Sequence, residues 1–362
     1  MKKVKRKIKY KPIIIITIIL LLVLFLYKPV KSIVSLKFKG YSFNTSYKIY
    51  KLGIRKEVLD HDYSELLSNM INEDLYNEKY LDSYFDINYY EYQDFLKNVN
   101  TWLDLGYVSL DINEINAKDD DLLKEKTKGK YISDIRTYLS FDYFKVDKLD
   151  RYLAYFNGDY KDTIIKVNIG LDKEFYEDPN EVVEYSIDMI VNKYNKLSKD
   201  FVPPELTKLD NCSEGEEYLT KEAKDAYDKM CAASREAGLN LGVTSSYRSY
   251  ESQESVYNTY LKSNGQDYVN KFVATPGYSE HQTGLALDVK STKSSPFKTT
   301  KEYKWMLENS YKYGFILRLE EGKENITGYS PEAWHFRYVG EDIAKYVHEN
   351  ALTYEEFYAI FK

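Results

Sequence analysis

The sequence predicts an α+β fold, with a mainly helical N-terminal half followed by a C-terminal domain of mixed helices and short strands. Three observations carry this. No proline occurs between Val30 and Asp178, apolar residues in that stretch recur at three- and four-residue steps, and beyond about residue 176 prolines, glycines and short alternating runs take over.

The first eleven residues hold seven basic side chains (Lys2, Lys3, Lys5, Arg6, Lys7, Lys9, Lys11) and no acid, and an aliphatic run from Ile13 to Leu26 follows. A spanning helix needs about 20 apolar residues, so the run also suits a cleaved signal peptide. Its exit through Tyr27, Lys28, Pro29, Val30 and Lys31 lacks a small-residue cleavage pattern and favours an uncleaved anchor. The expectation is a cytoplasmic tail at 1–11, a transmembrane signal-anchor at 12–30, and a remainder outside the cell at the cytoplasmic membrane. The chain carries a net charge of −6, and the +7 of residues 1–11 leaves −13 for the rest, which argues against nucleic-acid binding.

Residues 31–175 form the expected helical domain, of unassigned role. Tyr92, Phe95, Leu96, Val99, Trp102 and Leu103 fall on one helical face. Similar fragments at Lys51–Ile54, Asp104–Tyr107 and Leu139–Tyr143 raise the expectation of a degenerate helical repeat. The chain's 38 tyrosines read mainly as core, with stacking on glycan rings as the alternative. A β-like stretch at Ile164–Ile169, a turn at Asp178-Pro179-Asn180 and a helical pattern from Val182 to about Tyr194 complete the approach to the second domain, placed at 176–362.

In that domain Thr220 is placed to cap a helix ending near Gly238, and Leu239–Ser246 reads as a strand. Cys212 and Cys231 are the only cysteines; outside the cell they could be bridged, or they could be two buried thiols. Three strings concentrate chemistry: Ser245-Ser246-Tyr247-Arg248-Ser249, Ser279-Glu280-His281-Gln282-Thr283-Gly284-Leu285-Ala286-Leu287-Asp288, and Glu332-Ala333-Trp334-His335-Phe336-Arg337-Tyr338. Alternation puts Leu285, Leu287 and Val289 on one strand face and Asp288 on the other. The same period opposes Trp334, Phe336 and Tyr338 to His335 and Arg337, so His335 can share a cleft with Asp288.

A catalytic zinc takes three nitrogen or oxygen ligands and keeps a fourth position open, which His281, Asp288 and His335 satisfy. Glu332, three residues before a ligand, is placed to move the proton. Arg248 could stabilise an oxyanion or hold a substrate carboxylate. Each residue alone is unremarkable, as a loop histidine, a turn-forming aspartate or a solvated acid; the combination carries the reading. His61 and His348, the remaining histidines, receive no role.

From about Met189 to Gly340, through Val191-Asn192-Lys193, Phe201-Val202-Pro203-Pro204 and these strings, the chain resembles the VanY-type D-alanyl-D-alanine carboxypeptidases, relatives of lysostaphin-like and hedgehog-like zinc peptidases. The resemblance implies a small antiparallel-sheet zinc peptidase domain, with Zn2+ on His281, Asp288 and His335, Glu332 as catalytic base, and Arg248 as the substrate-stabilising arginine. It further implies that Ser279 and Gln253 lie near substrate, with Trp334 beside them, and that the substrate is the peptidoglycan stem peptide. Ala333 departs from the proline that relatives often carry there, and Pro331 stiffens the preceding position instead. An L,D-carboxypeptidase, a cross-link endopeptidase, and a wall-binding protein with a vestigial peptidase domain are the competing readings; the intact ligand set opposes the last. The pattern leaves the oligomeric state open.

Overall fold

A computed structural model of the chain describes residues 10–118, 120–129, 132–292 and 296–362. The chain divides into two compact units, Met1–Ser140 and Phe141–Lys362.

The first unit opens with helix α1 (Tyr10–Phe38). Among the described residues no helix is long and apolar enough to cross a membrane. Residues 1–9, which make up most of the expected cytoplasmic tail, lie outside the described residues. Helix α2 (Phe95–Asp104) buries Phe95, Val99, Trp102 and Leu103, the face expected from their spacing. Gly53 and Gly106, in two of the recurring fragments, both follow helices in the left-handed conformation that glycine adopts without strain.

The tyrosines act as core with a polar handle. In the first unit Tyr84 is buried and its hydroxyl donates to Asn100 Oδ1 at 2.6 Å, while Asn100 Nδ2 donates to Leu75 O at 2.8 Å. In the second, buried Tyr152 donates to Asn168 Oδ1 at 2.6 Å and Asn168 Nδ2 to Tyr143 O at 3.0 Å. The two clasps share their sequence separations, 16 residues from tyrosine to asparagine and 25 from asparagine to carbonyl.

The second unit begins earlier than the expected boundary at 175/176. Helix α3 (Tyr160–Asn168) occupies the segment read as β-like, because Asp159 caps it by accepting from Asp162 N. It belongs with the C-terminal unit because Asn168 Nδ2 also donates to Ala359 O at 3.0 Å. The helix expected between Val182 and Tyr194 is absent as well. Asn180–Val182 pairs in parallel with Asn195–Leu197, and the carbonyls of Ile187 and Met189 accept from the Arg337 guanidinium instead of from a helical turn.

Helix α4 (Lys221–Glu236) starts after Thr220 as expected, although the Thr220 side chain makes no capping hydrogen bond. Helices α5 (Tyr250–Asn264) and α6 (Gln266–Phe272) form one wall of the later site. The central sheet consists of β1 (Leu241–Ser245), β2 (Ala286–Ser291), β3 (Phe315–Leu319) and β4 (Glu332–Tyr338) in the order β1-β2-β4-β3, antiparallel throughout. Its inner face sends Val243, Leu287, Val289, Phe315 and Phe336 against Ala223, Tyr227 and Met230 of α4. Helices α7 (Lys301–Asn309), α8 (Glu341–Glu349) and α9 (Tyr354–Phe361) follow β2 and β4 in the chain. Val339, Ala344, Val347 and Phe357 build a smaller core with Ile316.

Cys212 and Cys231 are bridged, closing a 19-residue separation between the loop that precedes helix α4 and α4 itself. Tyr227, on that helix, donates to Cys212 O at 2.8 Å. Replacing both cysteines by alanine should lower stability by about 3 kcal/mol, through the larger entropy of the unlinked unfolded chain. Urea unfolding of the oxidised parent and the variant checks this; equal midpoints would contradict it.

Candidate active site

The site is assembled on the sheet face opposite the core. Asp288 on β2 pairs directly with His335 on β4, and Leu287 with Phe336, so one register sends the charged pair outward and the apolar pair inward. On the other side of β2, a bulge between Val243 and Ser245 sets Ser245 opposite Asp288. A single turn of 3-10 helix, Glu280–Thr283, delivers His281 to the same spot. Gly284 then turns the chain into β2 with φ +67°, and a Cβ there would press on Leu206, Thr220 and Pro203 at 3.1–3.2 Å.

The ligand-type atoms of His281, Asp288 and His335 all lie within 4.8 Å of one another. His281 Nδ1 lies 2.6 Å from the Ser246 carbonyl, which can only accept, so Nε2 is left bare and stands 3.5 Å from Asp288 Oδ2. His335 Nδ1 lies 2.9 Å from Asp288 Oδ1 and its Nε2 lies 3.2 Å from Glu280 Oε2. Ligands held about 2.0–2.2 Å from a tetrahedral zinc stand about 3.4 Å apart, so two imidazoles and a carboxylate at these separations fit that ion.

Electrostatics follow from burial and pairing. Burial lowers the pKa of His281, keeping it neutral, the form in which imidazole ligates a metal. Burial also works against charge on His335, but its hydrogen bonds to Asp288 and Glu280 prevail and raise it to about 10. Asp288 is held well below the usual carboxylate range, since attraction to both histidines outweighs its burial. Glu332 goes the other way, pushed up to about 7 by burial in a cavity it shares with Asp288.

Arg248 sits at the edge of this group, its guanidinium donating to Gln253 Oε1 and Ser245 Oγ at 2.7 Å each. Gln253, buried on α5, in turn donates to Ala274 O at 2.7 Å. It therefore aims Arg248, besides lining the cavity itself. Ser279 also lines the cavity and is buried. Trp334 departs from its expected face. The β3–β4 register shifts between Leu317 and Leu319, and the indole is 41% exposed at the cavity mouth instead of packing with Phe336 and Tyr338.

The cavity measures about 630 Å³, and Tyr260, Tyr268, Phe272 and Tyr278 add an aromatic wall to its lining. Sequence reasoning missed Glu280, Arg318 and Glu355, which form a buried ionic cluster behind His335. One signal was available: Arg318 is a lone cation inside the aliphatic run Phe315–Leu319.

A family model described as VanY, D-alanyl-D-alanine carboxypeptidase, matches residues 216–341. The chain is 40% identical over 179 residues to the putative carboxypeptidase YodJ of Bacillus subtilis, covering 47% of this chain and 66%, just under two thirds, of that protein. It is 35% identical to VanXYC of Enterococcus gallinarum, a bifunctional D-Ala-D-Ala dipeptidase and carboxypeptidase, covering 47% of this chain and 92% of that one. Among solved structures, a vancomycin-resistance D,D-pentapeptidase VanY in complex with Zn(II) aligns with 33% identity and a TM-score of 0.42, covering 48% of this chain and 99% of that one.

The Glu332 shift has a testable consequence for stability. With its carboxyl raised from 4.5 to about 7 in the folded state, the metal-free protein suffers no penalty while the group is protonated in both states, loses stability as pH rises from about 4.5 to about 7, and carries the full penalty above that. Glu332→Gln removes that loss, so the chelator-treated variant should exceed the parent by on the order of 2 kcal/mol at pH 8 and match it near pH 4. Urea titrations at both pH values check the sign; a variant no more stable than the parent at pH 8 would contradict the assigned environment.

Proposed function

This chain belongs to the VanY-type D-alanyl-D-alanine carboxypeptidase family, and we propose that it is a zinc-dependent D,D-carboxypeptidase that hydrolyses the terminal D-Ala from peptidoglycan stem peptides. The observation that carries this reading is the convergence of His281 Nε2, His335 Nδ1 and Asp288, lining with Glu332 one cavity of about 630 Å³. Those three residues would hold the ion, and what zinc supplies when bound is Lewis acidity beside the scissile carbonyl.

The remaining chemistry belongs to the chain's own side chains. The Glu332 carboxylate accepts a proton from the attacking water and returns it to the leaving amine; a pKa near neutrality suits both transfers. Arg248, held in place by Gln253 and Ser245, supplies the positive charge that meets the oxyanion or the substrate's terminal carboxylate. The aromatic wall excludes water and offers apolar contact to the stem. We place the catalytic unit outside the cell, tethered to the cytoplasmic membrane, on the strength of the seven basic residues within 1–11 and the aliphatic run Ile13–Leu26.

The test is to incubate the zinc-loaded chain with defined pentapeptide and tetrapeptide stems and weigh the products. Release of one D-Ala from the pentapeptide is expected; cleavage of the tetrapeptide alone would replace this reading with an L,D-carboxypeptidase. Glu332→Ala should keep its zinc and lose on the order of 10²–10⁴ in turnover, because it removes the proton carrier and not a ligand. Undiminished turnover would remove Glu332 from that role.

A further inference from the structure

Behind His335 lies a chain of buried charges that the reaction does not touch. Glu280, 7% exposed, gives one carboxylate oxygen to each neighbour: Oε2 stands 3.2 Å from His335 Nε2, and Oε1 accepts from Arg318 Nε at 2.8 Å. Arg318, on β3 and 4% exposed, turns its other edge to Glu355 and donates to both oxygens, at 2.8 and 2.5 Å. Glu355, 1% exposed, lies in the first turn of α9, where it also accepts from Asn192 Nδ2 at 3.2 Å. Arg337 adds a second cation, its Nε 3.7 Å from Glu280 Oε1, and the Tyr354 ring lies under both guanidinium groups.

Charge and geometry together limit what this cluster does. Two carboxylates face two guanidinium groups, so the cluster is balanced without help from the imidazole. If Glu280 served only to neutralise Arg318, one oxygen would suffice; the second is aimed at the ring nitrogen turned away from Asp288. A carboxylate can only accept, so Glu280 holds a proton on His335 Nε2, and a metal among His281, Asp288 and His335 would take the place of the Nδ1 proton that otherwise faces Asp288. The Ser246 carbonyl does the same for His281 from the opposite side. Glu280 is itself fixed through Arg318 by a glutamate on a helix beyond the family match at residues 216–341.

We propose that Glu280 is a positioning residue for the metal centre, setting the tautomer and orientation of His335, and that Glu355 on the C-terminal helix acts through Arg318 to hold Glu280 in place. The proposal rests on the zinc-site reading above. It makes α9 part of the catalytic unit: the first turn of that helix secures a metal ligand it never touches.

The experiment measures zinc affinity of the full chain by competition with a chromophoric chelator, together with the ¹⁵N signature of the His335 tautomer and the circular dichroism of each variant. Glu280→Gln is the sharp test, because its amide can donate to Nε2 and so favour the wrong tautomer while filling the same space. Affinity should fall about 10–100-fold, with the tautomer signal altered and the fold retained. Glu355→Gln, farther from the metal, should weaken binding by a smaller factor with the fold intact. Parental affinity and tautomer in a folded Glu280→Gln would overturn the proposal. If Glu280→Gln does not fold, an unchanged affinity in Glu355→Gln overturns the relay and a reduced one supports it. Failure of the parent chain to bind zinc would instead overturn the underlying zinc-site reading, so the two failures are distinguishable.

Discussion

The antiparallel pairing of β2 with β4 is the constraint on which the rest of the site depends. Side chains alternate along a strand, so the register that pairs Asp288 with His335 also pairs Leu287 with Phe336 on the opposite face. A slip of one residue in either strand would turn its apolar side chain toward the cavity and its ionisable one into the core, at a cost of several kcal/mol for the unpaired buried charge. Selection for a dry core therefore also fixes the metal-type face. The bulge in β1 and the 3-10 turn before β2 then bring Ser245 and His281 to a position the register has already defined.

Burial gives the site its chemistry by acting on residues with different partners. Desolvation disfavours charge everywhere in the pocket, but Asp288 has two histidines beside it and remains ionised, while Glu332 has no comparable partner and is raised to near neutrality. Two carboxylates lining the same cavity thus differ in the way the proposed roles of metal ligand and proton carrier require. The same logic separates the histidines: His281 meets a carbonyl, and His335 lies between two carboxylates.

Much of this was legible in the sequence because strand alternation and motif spacing are local. Gly284–Val289 gave both the strand and the outward face of Asp288, and Glu332 fell beside a ligand by its spacing alone. What failed depended on distant partners. Ile164–Ile169 is a short apolar run that fits strand or buried helix equally, and the deciding signal was the Asp159 cap upstream. The helix expected after Val182 lost its carbonyls to Arg337, far along the chain. Trp334 left its expected face because the register shift in β3–β4 depends on two strands at once. The Glu280–Arg318–Glu355 cluster has no period, and only the isolated arginine in an aliphatic strand hinted at it.

The most direct measurement is anomalous diffraction at the zinc edge from crystals of the zinc-loaded chain. The account predicts one strong peak in the second unit, about 2.0–2.2 Å from His281 Nε2, His335 Nδ1 and an Asp288 carboxylate oxygen, with Glu332 outside the coordination shell. A peak elsewhere, or one in which His335 ligates through Nε2 or Glu332 replaces Asp288, would contradict it.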